Sequence, residues 1–257
     1  MNPLAEVTRL RAAWLRGAKP RSAGGVRGTA FGALVAGLAA YYATSSHLWQ
    51  ASLWWDVATL AFLLIPAVFA LVLLALPVLG ARGLPLLALA LVAVAVVTTA
   101  AGAGAVADFA KLAAVTAIAF WLIPHLEDLV LIVVVAAIIP FVDAWSVWRG
   151  PTHVIVTNRH HVFEKLSFAF PIPGEHNAAN LGLPDLLFFA LFLAAAVRFR
   201  LRPGWTWLAM TASFGATLAI AVGFSLSGLP ALPGLSIGFL GTNADLLVRK
   251  LRKQPAR

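Results

Sequence analysis

The chain has no cysteine, so a disulfide framework and thiol chemistry are both closed to it, and cysteine usage leaves its redox compartment undetermined. Charge is nearly as scarce. Only 11% of the 257 residues are Asp, Glu, Lys or Arg, against about 25% in an ordinary soluble domain. What takes their place is apolar: 61% of the sequence is hydrophobic and the mean hydropathy is +0.90. A soluble fold of this length could not bury so much apolar sequence, which leaves a membrane protein. No cleavable signal peptide is expected, because the first apolar run begins only near Gly28, after a long basic segment.

The net charge of +9 could suggest a nucleic-acid partner. Its placement argues otherwise. The basic residues flank apolar runs, which is how topology is set in a membrane, so no nucleic acid is expected. Residues 1–27 carry Arg9, Arg11, Arg16, Lys19, Arg21 and Arg27, with Leu4, Val7, Leu10, Trp14 and Leu15 at helical spacing between them. That pattern predicts an amphipathic helix at the lipid surface.

Apolar runs of spanning length follow at about 28–46, 56–79, 83–102, 105–123, 126–148, 183–201, 204–226 and 229–247. They predict an all-α fold, a polytopic bundle of about eight transmembrane helices. The stretch 84–123 is too long for one span and is divided at Ala101-Gly102-Ala103-Gly104. The chain thus reads as a basic segment (1–27), an N-terminal bundle (28–123), a further span (124–148), a polar loop (149–182) and the last spans with a basic tail (183–257). The loop is notable, since the other connections are short and long loops are usually functional or disordered. Its β-branched patch His153-Val154-Ile155-Val156-Thr157 is expected as a short strand. It also holds Phe168-Ala169-Phe170-Pro171-Ile172-Pro173.

With eight spans and the N-terminus inside, fifteen Lys and Arg residues fall on the inner side and three, Arg149, Arg159 and Lys165, on the outer. The bias predicts an integral membrane protein with both termini in the cytoplasm and the 149–182 loop outside. Trp49, Trp54, Trp55, Trp145, Trp148, Trp205 and Trp207 sit near span ends, as an aromatic belt does.

Two acids lie inside these runs. Asp143 is near the end of one span, in IIPFVDAWSVW, and Asp185 opens the next, in LGLPDLLFFALF. An acid inside a span costs roughly 2.5–3.5 kcal/mol on insertion scales, so it marks a functional site by default. Both should lie at similar, shallow depth on the loop side. Two close carboxylates hold one proton between them more cheaply than they both ionise. The ionised one can take a proton from water while the neutral one donates to a carbonyl oxygen, which is general acid–base hydrolysis with no cofactor. The helix N-terminus beside Asp185 favours that residue as the anion. Pro140 is expected to kink the first of these spans, and GLPALPG at 228–234, with two prolines, to be extended ahead of the last one.

Phe141-Val142-Asp143, Gly182-Leu183-Pro184-Asp185 and Pro230-Ala231-Leu232, in that order, resemble the three signatures of the presenilin and signal-peptide-peptidase family of intramembrane aspartyl proteases. The resemblance covers roughly residues 126–246. Here Pro184 stands at the second glycine of the family's Gly-x-Gly-Asp, and Val142 separates Phe141 from the acid. Membership would imply a presenilin-like bundle, for which nine spans are usual, in the plasma membrane of a bacterium or archaeon. It would make Asp143 and Asp185 the catalytic pair. Gly182, Leu183, Pro184, Pro230, Ala231 and Leu232 would shape substrate binding, with no metal and no cofactor. The partners implied are transmembrane segments of other proteins and the surrounding lipid. Leu232 would face the bound substrate, and small residues Gly234, Gly238 and Gly241 would let the last span approach the catalytic helices closely.

Other polar residues carry less. Asp108 and Lys111 can pair at i, i+3. Asp56 opens a span; Glu127 and Asp128 sit at an interface beside Pro124 and His125; Asn243 and Asp245 close the last span. His160, His161, Glu164 and His176 lack a metal-ligand spacing. Two rival functions remain: a proton- or cation-coupled transporter or channel using the same carboxylates as a relay, and an inactive family member acting as a membrane chaperone.

Overall fold

The computed structural model describes residues 21–149, 160–175, 177–226 and 229–252. The amphipathic segment 1–20 and the patch 153–157 lie outside these residues. Eight long helices occupy the eight apolar segments: α1 (Arg21–Thr44), α2 (Leu53–Val78), α3 (Leu84–Ala100), α4 (Ala105–Leu122), α5 (Leu129–Trp148), α7 (Leu183–Arg198), α8 (Pro203–Gly223) and α9 (Leu232–Leu251). A short helix α6 (His160–Lys165) precedes a hairpin of β1 (Ser167–Pro171) and β2 (Ala178–Gly182). Four helices, α2, α4, α5 and α8, are long and apolar enough to cross a membrane. The architecture is that of a helical membrane protein with, among the described residues, one small sheet.

The local chemistry explains the breaks. The α3–α4 division falls at the glycines, where Gly102 and Gly104 take φ of 67° and 46°, in the region that favours glycine. Within α2, a π-turn at Leu60–Leu64 lets the Ile65 N–H reach the Leu60 carbonyl, immediately before Pro66, which has no N–H to offer. α5 runs unbroken through Pro140.

α7 is the central element. Leu186 and every residue from Phe189 to Ala196 are buried, as expected of a helix that is apolar on all sides. Phe69 of α2 packs on Phe189 at 4.0 Å and on Phe214 of α8 at 4.9 Å, and Phe192 stacks on Phe239 of α9 at 4.9 Å. α5 is peripheral. Leu129, Ile132 and Ala136 form its buried stripe, and its chief partner is α9. Phe141, Val142, Trp145 and Trp148 face outward.

The last helix is placed differently from expectation. A Cβ on Gly238 would come within 3.0 Å of the Met210 amide nitrogen, and one on Gly234 within 3.1 Å of Ser213 Cβ. Both glycines therefore allow α9 to lie close against α8, not against the aspartate-bearing helices, and Gly241 faces open space. Asn243, fully buried, ties the same helix to the α7–α8 turn. Its Nδ2 donates to Thr206 Oγ1 and to the Phe239 carbonyl, both at 2.8 Å, and its Oδ1 accepts the Arg202 amide at 3.0 Å.

The hairpin was not foreseen. Its first strand forms around Phe168-Ala169-Phe170, a segment in which the sequence raised no such expectation. Alternate residues Phe168 and Phe170 are buried, and Tyr42, Phe109 and Phe168 form an aromatic cluster with centroids 5.1–6.4 Å apart. The hairpin turn docks on the α1–α2 connection. The Gly174 amide donates to the Ser45 carbonyl at 2.8 Å, and a Cβ there would meet Gln50 N at 2.7 Å. With φ at 72° as well, position 174 is restricted to glycine by both space and backbone.

Candidate active site

Asp143 lies on the inner face of α5. It continues the buried stripe of Leu129, Ile132 and Ala136 at helical spacing. Phe141, two residues earlier, is turned to the opposite side and is 77% exposed. The inserted Val142 thus sends the aromatic of the first motif outward.

The partner of Asp143 is the beginning of α9. Asp143 Oδ2 accepts the Leu232 N–H at 3.0 Å, and the Ala231 amide also bears on this carboxylate. The reason lies in the sequence Pro230-Ala231-Leu232-Pro233. A helix leaves its first amides without internal partners. Here two of four successive residues are prolines with no N–H, so the donors left are those of Ala231 and Leu232. Ala231 is the N-cap and has no side chain that could cap. The carboxylate of another helix supplies the acceptor, at the end of the helix where negative charge is favoured.

This segment is less extended than the sequence predicts. Leu232 and Pro233 already belong to α9, and Ala231 has φ −93° and ψ −26°. Proline fits the first helical turn because its fixed φ is helical and its missing N–H has no helical partner to lose. Pro230, Ala231 and Leu232 are all buried. Leu232 reaches Asp143 through its amide, while its side chain, 3% exposed, packs in the core. Truncating that side chain therefore acts on packing first.

Asp185 stands at the third position of α7, where β2 passes into the helix with no residue between them. Its carboxylate folds back toward the N-cap residue Gly182 and its amide, in the position of the acidic half of a capping box. A Cβ on Gly182 would lie 3.2 Å from Asp185 Oδ2. Gly182 has φ −62° and ψ 142°, angles open to any residue, so glycine is needed here for space and not for its backbone. Pro184 occupies the second helical position, faces outward and leaves the carboxylate's pose intact. The Leu183 amide donates to the Leu166 carbonyl at 3.3 Å, holding the strand–helix junction against β1.

The two acids sit on the helices α5 and α7, and α9 packs against both. Both are half-buried, and the Asp143 charge acts on Asp185 through space. Hydrogen bonds to a carboxylate support its anionic form. Asp143 accepts the Leu232 N–H at 3.0 Å with the Ala231 amide nearby, and Asp185 has the Gly182 amide nearby. Negative charge is thus better supported on Asp143, the reverse of the expectation from the helix N-terminus alone.

β2 leads into this site, and among the described residues one of its edges pairs with no strand. The Leu183 amide bonds to Leu166 and the Ile172 amide to Asn177. Ladder alternation then pairs Phe168 with Leu181 and Phe170 with Ala179 by hydrogen bonds. It turns the backbone groups of Ala178, Asn180 and Gly182 away from β1. Among the described residues no third strand pairs along that side. Two grooves lie elsewhere: an apolar one of about 250 Å³ between α1, α2, α3 and α4, and one of about 460 Å³ beside Trp49 and Trp55.

Asp108 and Lys111 pair as the spacing predicts, at 2.6 Å, and both are buried. Removing one member of such a pair costs about 3–5 kcal/mol because the other charge is left alone. Their only sequence signal was two opposite charges one turn apart in an apolar run. No protein-family model, curated protein or solved structure matches the chain.

Proposed function

We propose that this protein is an intramembrane aspartyl protease of the presenilin-like type, hydrolysing peptide bonds in transmembrane segments of other proteins with Asp143 and Asp185. One observation carries the reading: the acid of α5 is held at 3.0 Å by the Leu232 N–H at the start of α9, and its charge reaches the acid that opens α7. The three motifs that resemble the family supply all three parts of that arrangement.

In this mechanism Asp143 is the anion. It takes a proton from a water molecule as the water oxygen bonds to the scissile carbonyl carbon. Asp185, neutral, gives its proton to the carbonyl oxygen, leaving a tetrahedral diol. Asp143, now protonated, gives its proton to the amide nitrogen as the C–N bond breaks, and Asp185 recovers a proton from the diol. Neither acid is consumed and no cofactor enters. Cleavage of a model transmembrane peptide by the purified protein, compared with Asp185→Asn, tests the reading. A transporter would instead lose ion flux in the same variant with no cleavage by either protein.

A transmembrane helix hides its peptide bonds behind its own hydrogen bonds and must unwind to be cut. The unwound segment then needs partners in a medium that offers none. The open edge of β2 meets this need, because strand addition there would align the substrate along Ala178–Gly182 and lead it to Asp185. Ala178→Pro removes an outward N–H and spares the bonds to β1. It is expected to lower kcat/KM about tenfold or less, in line with one lost backbone bond, without changing the thermal midpoint. Wild-type cleavage in this variant would show that substrate does not use this edge.

All eight long helices cross the bilayer in this reading, with both termini in the cytoplasm. The bias of fifteen basic residues to three supports that sense. With no native cysteine to interfere, Asn158→Cys is expected to react with a membrane-impermeant thiol reagent on intact cells. Labelling only after lysis would reverse the orientation.

A further inference from the structure

The outer-edge carbonyls of β1 are each met by a side chain. Lys111 Nζ donates to the Ser167 carbonyl. Tyr42 Oη donates to the Ala169 carbonyl at 2.7 Å, and Tyr41 Oη to the Pro171 carbonyl at 2.8 Å. The Asp108 carboxylate, paired with Lys111, stands beside the Ala169 amide. Proline at 171 has no N–H to satisfy. Four side chains from α1 and α4 thus stand where a neighbouring strand would, and two of them are the buried charges for which the proposed chemistry has no use. Ser167 adds a cross-strand tie, its Oγ donating to Asn180 Oδ1 at 3.0 Å.

We infer that Tyr41, Tyr42, Asp108 and Lys111 form a positioning device for Asp185: they act as a surrogate strand that fixes the register of the hairpin and closes its wrong edge to substrate. The inference rests on the protease reading above. Its physical basis is continuity. β1 sets the register of β2 through the pairs Ser167 with Gly182 and Phe168 with Leu181, and Gly182 is both the last residue of β2 and the N-cap over which the Asp185 carboxylate folds. A one-residue slip would turn every side chain of the hairpin over and carry the Gly182 amide away from the carboxylate. An unblocked β1 edge would also offer an unwound substrate a second place to pair, on the side of the hairpin away from β2. None of the four residues needs to touch substrate.

The test uses the full chain in bilayers. Tyr41→Phe/Tyr42→Phe removes two hydroxyls and keeps both rings. Asp108→Asn/Lys111→Met removes both charges together, so that no lone ion is left buried. Turnover is measured per folded molecule, with KM and the masses of the products. The expected result is a fall in kcat of about tenfold or more, the scale at which misplaced catalytic groups act, with KM changed less than about twofold and cleavage spread over neighbouring bonds. Wild-type kcat and a single product set in both variants would overturn the inference, as would a fall in thermal midpoint with unchanged turnover per folded molecule, which is a structural role only. A rise in KM alone would also overturn it. If these variants match wild type while Asp185→Asn is inactive, the positioning device fails and the protease reading stands. If wild type itself cleaves nothing, both fall.

Discussion

Asp143→Asn and Asp185→Asn are each expected to reduce peptide hydrolysis about a thousandfold or more, the upper range for loss of a positioned acid or base. The substitutions are nearly isosteric and should leave the fold in place. In Asp143→Asn the new amide oxygen can still accept the Leu232 N–H, so the start of α9 keeps its acceptor while the proton-accepting group is gone. In Asp185→Asn an oxygen remains for the Gly182 amide, and the proton that would go to the scissile carbonyl is lost. Because the proposed mechanism uses one acid ionised and the other neutral, wild-type kcat/KM should be bell-shaped in pH. The two apparent pKa values would belong to the pair and not to either residue, and each single Asn variant should lose the bell along with the activity. Full turnover in either variant, measured on a purified transmembrane peptide, ends the two-aspartate mechanism.

Gly182→Val is expected to have the next largest effect, a loss of about a hundredfold in kcat, with Gly182→Ala nearer tenfold, as the reacting geometry is displaced by up to about an ångström. The argument is spatial. A Cβ at this position lies 3.2 Å from Asp185 Oδ2, so the carboxylate must give way, and valine's methyl groups push it further. The backbone angles of −62° and 142° suit both replacements, and valine favours the strand it would join. Stability should therefore hold while turnover falls, which separates this site from an ordinary packing glycine. Circular dichroism and thermal midpoints of the variants, beside their kcat and KM, supply the check. Wild-type turnover in Gly182→Val would mean that Asp185 does not work from the pose described here.

Much of this architecture is legible in the sequence, and the reason differs from element to element. The division of 84–123 at its glycines is local: two residues with positive φ in four end one helix and start another whatever surrounds them. The two acids stood out because a carboxylate in an apolar run is costly on its own account. Gly182 was legible as part of a motif, but its role was not. The motif gives it a part in substrate binding, while the structure shows ordinary angles and a carboxylate folded against it. Leu232 was expected to offer its side chain and offers its amide, a difference set by where α9 begins. Gly234 and Gly238 were read as contacts to the aspartate-bearing helices and face α8 instead. In a helix whose flanks are all apolar, sequence spacing says which residues share a face and nothing about which helix that face meets.

By itself, then, the sequence determined the class of protein, the positions of its long helices and the presence of two acids within them. These follow from hydropathy and backbone preference, which act residue by residue along the chain. The tertiary structure decided the rest. It placed the start of α9 against Asp143, across 89 residues. It formed the hairpin at Ser167–Pro171 and Ala178–Gly182, and it seated that hairpin on tyrosines 127 and 130 residues away. Such contacts depend on which helices pack together, and in a membrane the apolar surface of one helix meets lipid nearly as well as it meets another helix. What selects the arrangement is the small set of polar groups that must find partners where no water reaches, and those partners become visible only once the chain is folded.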